Sequence, residues 1–362
     1  SKMSPILSKY IEKQSQTPKK ERNAAFRSAV KAQVCDVLRH VLPVATKSTV
    51  GIYGSAQAIE NLIMNLSSDN LKESQLVGSK ILENIRKVAP IFYERADIPE
   101  RGGATIAYKF DTREDLKKIT NKYLKESYSN DLSSVHLVDY TPKNEFELIP
   151  YMLYEQSSLS ISELKTEIAN WSYEKKQKVF EAYMGKRLNR RHRPGRAIEN
   201  AVYSWDIICD YGIFRDLQRH RMVNDLVWQD LSPRYGYDIP ELIEKTNLSD
   251  DFVKCFDLSM ELYSLLQSEG YNDQAQYATL LGHKMRWHIS YNAREAFHIH
   301  ELRTSPQGHP EYRKLVLEMH QKLAEVHPLL AEAMIFVNKA EDPELTRLAA
   351  ERYSQIKLSR LK

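Results

Sequence analysis

Several features that mark whole classes of protein are scarce in this sequence. No apolar run approaches the ~18–20 residues of a membrane-spanning helix, since the most apolar aromatic stretch, 202–214, is interrupted by two aspartates. The N-terminal residues lack the apolar core of a secretory signal. The three cysteines, Cys35, Cys209 and Cys255, are odd in number and far apart, with no Cys-x-x-Cys pair. We therefore expect a soluble protein of a reducing, cytoplasmic compartment.

Glycine and net charge are also low. Only 12 glycines occur in 362 residues, and neither a Gly-x-Gly-x-x-Gly pattern nor a Walker-type phosphate loop is present, so the common nucleotide-binding folds have no support. The formal charge of +4 gives little support to a nucleic-acid-binding protein, and oligonucleotide binding is our weakest alternative. The composition, 42% hydrophobic and 28% charged, is that of an ordinary folded protein. The length favours about two domains, at ~100–200 residues each.

Most of the chain has the apolar spacing of amphipathic helices, and a few short segments are rich in β-branched and aromatic residues. The sequence therefore predicts a helix-rich α+β fold with small sheets flanked by helices. Helices are predicted over 26–41, 79–88, 115–124, 161–183, 239–266, 293–302 and 312–326. Strands are predicted over 48–53, 105–110, 135–140, 203–208 and 284–290.

A weak internal repeat gives the predicted domain organisation. The pattern that begins at Arg39, with a β-rich segment, a helix and then Val-Ala-Pro, recurs some 237 positions later from Gln276. We predict a partial first unit over 1–100, a linker over 101–134, a complete second unit over 135–340 and a C-terminal helical tail over 341–362. The first unit shows only the back half of the pattern, and we expect its front segment to lie outside this sequence.

Two Arg-His-Arg triplets are candidate anion-binding sites. The first lies in the basic segment 186–196, which is either a solvated face or a patch for anions or nucleic acid. The second, Arg219-His220-Arg221, follows an apolar segment and precedes Ser232 and Arg234. Guanidinium groups and a hydroxyl match the geometry of a phosphate. The residues alone leave two readings open for this second cluster, a site for a phosphate-bearing small ligand or a structural salt-bridge network.

A third cluster runs from Asn292 to Arg303. These two residues are about three helical turns apart and share one face of the predicted helix, about 16 Å apart along its axis. His298 and His300, two positions apart, point to opposite sides of a helix and are not a chelating pair. Seven of the eleven histidines lie between 283 and 327, yet none has metal-ligand spacing, so we predict no metal site. Cys209 lies in an apolar segment and is predicted to be core rather than a nucleophile.

Together these motifs resemble the flavin-dependent thymidylate synthases. That family carries an Arg-His-Arg triplet, a Ser-x-Arg-Tyr element and a helix of the form Asn-x-Arg-x-x-x-His-x-x-x-x-Arg. The same order occurs here at 219–221, 232–235 and 292–303, and Glu199 stands twenty positions before the triplet. The resemblance covers about 135–337, and 20–95 resembles a degenerate copy of the family's C-terminal half. The expected fold is thus a tandem pseudo-dimer of this family.

The resemblance implies an enzyme that methylates dUMP, or a related pyrimidine nucleotide, at C5. It would use FAD, with NADPH and methylenetetrahydrofolate as co-substrates, and no cysteine nucleophile. The family assembles as a tetramer with active sites between subunits, so self-association, as a dimer of pseudo-dimers, is expected here. The implied FAD contacts are Arg219, His220, Arg221, Glu199, Asn292, His298 and Asp230. The implied substrate contacts are Ser232, Arg234, Arg303 and Arg39, with Arg303 and Ser232 as catalytic residues.

The sequence departs from the family pattern at two positions that bear on ligand charge. Asp216 stands where the family has Gln, and an anion there would repel a phosphate. Gln276 stands where the family has a phosphate-binding Arg, while Arg39 is present at the matching position of the first unit. We therefore predict one composite site that draws on both units, and Arg39→Ala should weaken nucleotide binding. The alternatives are a non-catalytic flavin- or nucleotide-binding scaffold and a related enzyme with another pyrimidine nucleotide as substrate.

Overall fold

The computed structural model describes residues 2–124, 134–341 and 344–360. Contacts divide the described residues into two compact units. The larger unit lies within Ser1–Val44, Leu132–Tyr263 and Ala278–Lys362, and the smaller within Ala45–Asp131 and Ser264–Tyr277. The N-terminal 44 positions thus group with the predicted second unit. Of the helices described, none combines the length and apolarity that crossing a membrane requires.

The helices account for most of the described chain. In chain order they are α1 (Met3–Gln14), α2 (Ala24–Leu38), α3 (Ala56–Ser67), α4 (Lys72–Arg86), α5 (Pro90–Tyr93), α6 (Gly102–Tyr123), α7 (Ile149–Leu153), α8 (Ile161–Ala169), α9 (Tyr173–Met184), α10 (Tyr211–Leu217), α11 (Glu241–Lys245), α12 (Ser249–Ser268), α13 (Ala293–Arg303), α14 (Pro310–Val326), α15 (Pro328–Ala333) and α16 (Leu348–Ser359). The helix predicted over 161–183 is two helices, because Ser172 starts a second one by accepting a hydrogen bond from the Lys175 backbone.

One antiparallel sheet lies in the larger unit. Its strands are β1 (Val135–Thr141), β2 (Val202–Asp210), β3 (Asp225–Trp228) and β4 (Lys284–Asn292), in the order β1-β2-β4-β3. The central pair places Tyr203 opposite Tyr291 and Trp205 opposite Ile289, and all four side chains are buried. The predicted strands over 135–140, 203–208 and 284–290 are confirmed. With helices around one small sheet, the helix-rich α+β fold class is confirmed as well.

Two hydrophobic clusters hold the larger unit together. The first joins the sheet to α10, α13 and α14 through residues such as Trp205, Phe214 and Trp287. Cys209 is buried within it, as predicted, and burial raises the pKa of its thiol far above its ordinary value. The second cluster packs α1 and α2 against α11 and α12, with Phe26 and Phe256 at its centre. The first cluster fixes α10 and α13, the helices next to the candidate site.

Two of the predicted strands are wrong, and both fall in the smaller unit. Residues 48–53 are neither strand nor helix, and Val50 and Tyr53 are exposed, because β-branched residues form a strand only where a partner strand pairs with them. Residues 105–110 belong to α6, and the predicted linker over 101–134 is helical as far as Tyr123, while 125–133 lies outside the described residues. The interpretation of residues 1–100 as a degenerate copy stays a prediction.

Candidate functional site

The second Arg-His-Arg triplet and α13 are brought together by the fold. α13 begins at Asn292, whose side chain caps the helix by accepting a hydrogen bond from the Glu295 backbone at 3.0 Å. The triplet follows α10, and His220 is buried against the side of α13. Arg303 is the last residue of α13 and is also buried. The two motifs, 83 positions apart, therefore meet in one place.

A hydrogen bond from Arg303 to His220 joins the two motifs directly. Arg303 donates its Nε–H to His220 Nε2 at 2.8 Å, and its Nη2 donates to the backbone oxygen of Asp216. The guanidinium lies 5.5 Å from the ring of Tyr312. Burial lowers the pKa of Arg303 below its ordinary value, although Tyr312 and Asp216 oppose that shift. A guanidinium held this way is fixed in position and still cationic.

Glu295 connects two histidines of the site. Its Oε1 lies 3.1 Å from His220 Nδ1 and 3.1 Å from His298 Nδ1. Burial raises the pKa of Glu295, but the hydrogen bonds from both histidines outweigh it, and the net pKa lies below its usual range. An ionised carboxylate only accepts hydrogen bonds, so each imidazole carries a proton on Nδ1. Burial lowers the pKa of His220, which is therefore neutral at pH 7.

The same three residues present possible metal-ligand atoms within 4.8 Å of one another: His220, Glu295 and His298. No spacing in the sequence indicates this cluster, because His220 comes from a different segment. The hydrogen bond from Arg303 requires the lone pair of His220 on Nε2, which puts the proton on Nδ1, the atom that would bind a cation. A metal ion here would have to displace both that proton and Arg303. The arrangement is that of a hydrogen-bond chain.

Arg39 reaches the triplet from the N-terminal segment. It lies in the 3-10 helix Arg39–Val41, which is held in place because His40 O accepts a hydrogen bond from Gly282 N at 2.9 Å. Its Nη1 bonds to Asp216 Oδ2 at 3.3 Å, and Arg219 Nη2 bonds to Asp216 Oδ1 at 2.9 Å. Arg39 therefore contacts a residue 177 positions away within the same compact unit, and the site composed of two units stays a prediction.

Two further predicted residues lie near the start of α13. Glu199, in the 3-10 helix Arg196–Asn200, bonds to Arg196 at 3.0 Å and to Arg294 Nη1 at 3.4 Å. Its pKa lies below the usual range because Arg196 donates hydrogen bonds to it. Asn292 uses its side-chain oxygen for the helix cap, so its amide nitrogen is the group that can address a ligand. Arg221, the last residue of the triplet, is exposed.

The predicted substrate loop forms a separate group. Arg234, in the 3-10 helix Pro233–Tyr235, donates to Gln229 Oε1 at 2.5 Å and stacks 4.6 Å from the centre of the Tyr235 ring. Ser232 precedes that helix in an extended conformation, and Asp230 is exposed. The hydrogen-bond partners of Arg234 are residues 229 and 235, neither of which hydrogen-bonds to Arg303 in the described part of the chain. Among the described residues, the hydrogen bonds of Arg234 thus stay within its own loop.

The basic segment 186–196 contains a residue whose role the sequence does not reveal. Arg187 is buried and forms two bonds to Glu301, at 2.5 Å and 2.7 Å. Its Nε also donates to His192 O at 2.6 Å. The solvated-face and anion-patch interpretations are both wrong for Arg187, although Arg190, Arg191 and Arg193 are exposed. A charged pair with 4% and 1% side-chain exposure anchors the segment to α13.

Comparison with known proteins identifies the family. A family model described as thymidylate synthase complementing protein, the flavin-dependent thymidylate synthase family, matches residues 136–329, more than half of the chain. The chain belongs to this family. The resemblance seen in the sequence motifs over 135–337 is thereby confirmed.

Relatives in other organisms are longer than this chain. A UPF0159 protein of Chlamydia muridarum is 29% identical over 352 residues, which is 97% of this chain and 66% of the relative. A UPF0159 protein of Thermoplasma acidophilum is 28% identical over 340 residues, 92% of this chain and 65% of the relative. The chain thus spans about two thirds of their length. A solved structure of a UMP/dUMP methylase from Streptomyces cacaoi, bound with 5-Br dUMP, matches 56% of this chain and 94% of its own at 16% identity and a TM-score of 0.45.

Proposed function

We propose that this protein catalyses the reductive methylation of dUMP at C5 to give dTMP, with FAD as cofactor and methylenetetrahydrofolate and NADPH as co-substrates. The observation that carries the proposal is the hydrogen-bond chain from the buried Arg303 through His220 and Glu295 to His298. It links the two motifs that identify the family. Family membership supplies the reaction class, and the network supplies fixed donors for a nucleotide and a flavin.

The residues around the network have the chemistry that a flavin dinucleotide needs. Arg219 is 64% exposed, and Arg221 is exposed beside it, so both guanidinium groups can reach a pyrophosphate. His298 is 36% exposed, and because its Nδ1 bonds to Glu295, Nε2 is the ring nitrogen that a ligand can reach. These groups fit FAD. When bound, the flavin would supply the hydride for the methylation.

Arg303 is the proposed catalytic residue. Its guanidinium is held by His220 and by the Asp216 backbone, so it does not reorganise when charge develops nearby. Placed at the carbonyls of a uracil ring, it would stabilise the negative charge that builds up as C5 becomes nucleophilic. His220, neutral and bonded on both ring nitrogens, acts as a positioning residue for Arg303. Arg39 would hold the phosphate of the substrate.

The loop with Ser232 and Arg234 forms its own hydrogen-bonded group, and the family builds its sites between subunits. We therefore expect self-association, with this loop completing the site of an associated copy. The observation that favours the alternative, a nucleotide-binding protein without catalysis, is the Asp216 carboxylate between Arg39 and Arg219. An anion at that position opposes phosphate binding.

Tritium release from C5-labelled dUMP separates these two functions. With FAD, methylenetetrahydrofolate and NADPH present, the wild-type protein should release tritium, and Arg303→Lys should slow release about a hundredfold, the loss typical of one transition-state donor. Arg352→Lys, an exposed α16 residue paired with Glu21, is the matched control and should behave as wild type. Retention of FAD without tritium release would refute the catalytic proposal and favour the non-catalytic one.

A further inference from the structure

Three arginines converge on Asp216. The carboxylate bonds to Arg39 through one oxygen and to Arg219 through the other, at 3.3 Å and 2.9 Å. The backbone oxygen of the same residue accepts from Arg303. Asp216 lies in the last turn of α10, where backbone carbonyls have no partner within the helix. One residue near the end of a short helix thus receives donors from three separate segments of the chain.

The other acids near Arg39 have partners of their own. Asp36 bonds to Arg347 at 3.1 Å, and Asp210 Oδ1 caps α10 by accepting from Ile213 N at 2.8 Å. Asp216 differs from them because its two oxygens bond to arginines whose predicted role is to bind an anionic ligand. Its side chain is 23% exposed and that of Arg39 is 21% exposed, so solvent and solutes reach this pair.

Two hydrogen-bond donors of Arg39 are not used in its pair with Asp216. Its Nε and Nη2 are buried without a hydrogen-bond partner among the described residues. They lie over Gly212, where a Cβ atom would come within 3.3 Å and 3.4 Å of them. The absence of a side chain at Gly212 lets the guanidinium lie against the start of α10. The Nη1 edge, which faces Asp216, is thus the edge that an anion in solution can address.

We propose that the Asp216 carboxylate occupies the place of a ligand's phosphate group, and that a phosphate-bearing ligand binds by displacing it from Arg39 and Arg219. The identity of that ligand as a nucleotide rests on the proposed function; the displacement itself does not. A phosphate monoester carries a charge of about −1.5 to −2 and three acceptor oxygens, so it exceeds the single carboxylate in both respects. Rotation of the Asp216 side chain frees the arginines, while its backbone oxygen keeps Arg303 in place.

The test is the affinity for inorganic phosphate, measured by isothermal titration calorimetry at low salt. Asp216→Asn removes the competing charge and should tighten phosphate binding about tenfold, which corresponds to about one charge-assisted hydrogen bond. The matched control is Asp139→Asn, which removes one exposed carboxylate paired with Lys143 and should leave the affinity unchanged. Equal affinities of the two variants would overturn the proposal.

A double variant shows whether the gain passes through Arg39. Adding Arg39→Gln to Asp216→Asn should abolish most of the gain, because the freed guanidinium is then missing. A gain that persists in the double variant would overturn the proposal. Asp216→Gln serves as a second variant, with the same expected direction. If neither variant gave a cooperative unfolding transition, the carboxylate would be an indispensable structural counter-ion, and the proposal would be wrong.

The source of the phosphate is distinguished by pairs of ligands. A gain for dUMP with none for deoxyuridine would assign the arginines to the substrate, and a gain for FAD with none for riboflavin would assign them to the cofactor. Both results support displacement. Because binding of inorganic phosphate needs no turnover, a protein that fails to methylate dUMP but gains phosphate affinity in Asp216→Asn would refute the proposed function alone.

Discussion

Replacing the buried ion pair of Arg187 and Glu301 is the strongest single test of how the larger unit is held together. Replacing Arg187 by Met leaves the Glu301 carboxylate, 1% exposed, with one donor among the residues that the structure describes, the Phe336 backbone at 3.4 Å. It also removes the donors to the carbonyls of His192 and Ala333. An uncompensated buried charge typically costs about 3–5 kcal/mol. That is a large fraction of the ~5–15 kcal/mol by which domains are stable.

The double variant Arg187→Met/Glu301→Leu should lose much less stability than the sum of the losses in the two single variants. Two apolar side chains of similar volume avoid the cost of desolvating a lone charge, so we expect a coupling of at least about 2 kcal/mol. Urea unfolding at pH 7, followed by circular dichroism, gives the four free energies of the cycle. Arg352→Met, which breaks a solvent-exposed pair with Glu21, should change the free energy of unfolding by about 0.5 kcal/mol or less. A loss below about 1 kcal/mol in Arg187→Met would refute the reasoning.

Two other buried groups give sharp expectations for the same assay. Glu295→Leu leaves the Nδ1–H of His220 without an acceptor, whereas Glu295→Gln keeps an acceptor for His220 and His298. Glu295→Leu should therefore lower the free energy of unfolding by about 1–3 kcal/mol more than Glu295→Gln. Equal stability of the two variants would contradict the network. Burial lowers the pKa of His320 to about 4, with Lys339 adding to the shift, so the unfolded state binds more protons between pH 4 and 6.5. The stabilisation from neutral His320 is complete well above pH 6.5 and is lost as the pH falls. From pH 6.5 to 5 the wild type should lose about 1.6 kcal/mol more than His320→Leu; parallel pH profiles would show that His320 titrates normally.

Local sequence signals predicted much of the fold. The strands over 203–208 and 284–290 follow from the β-branched and aromatic residues of those segments. In the structure the N-caps Asn292 and Ser160 accept the hydrogen bonds that their residue types favour. The strand predictions failed where strand formation depends on a partner strand. Residues 48–53 have strand-forming side chains, but no strand of the described chain pairs with them. β3, which pairs with β4 over four residues, is too short to show a pattern.

The sequence by itself determined the family, because three motifs occur in the family's order. The residues of those motifs that are predicted to contact a ligand are Arg219, His220, Ser232, Arg234, Asn292, His298 and Arg303. Only the tertiary structure decided how those residues are connected. The contact of Arg39 with Asp216 joins positions 177 apart, and that of Arg187 with Glu301 joins positions 114 apart. Burial of a charge depends on which distant segments pack over it, and no local periodicity encodes that. The sequence therefore identifies the motif residues. The roles of Asp216 as counter-ion, Glu295 as acceptor and Arg187 as anchor follow only from the packing of the helices.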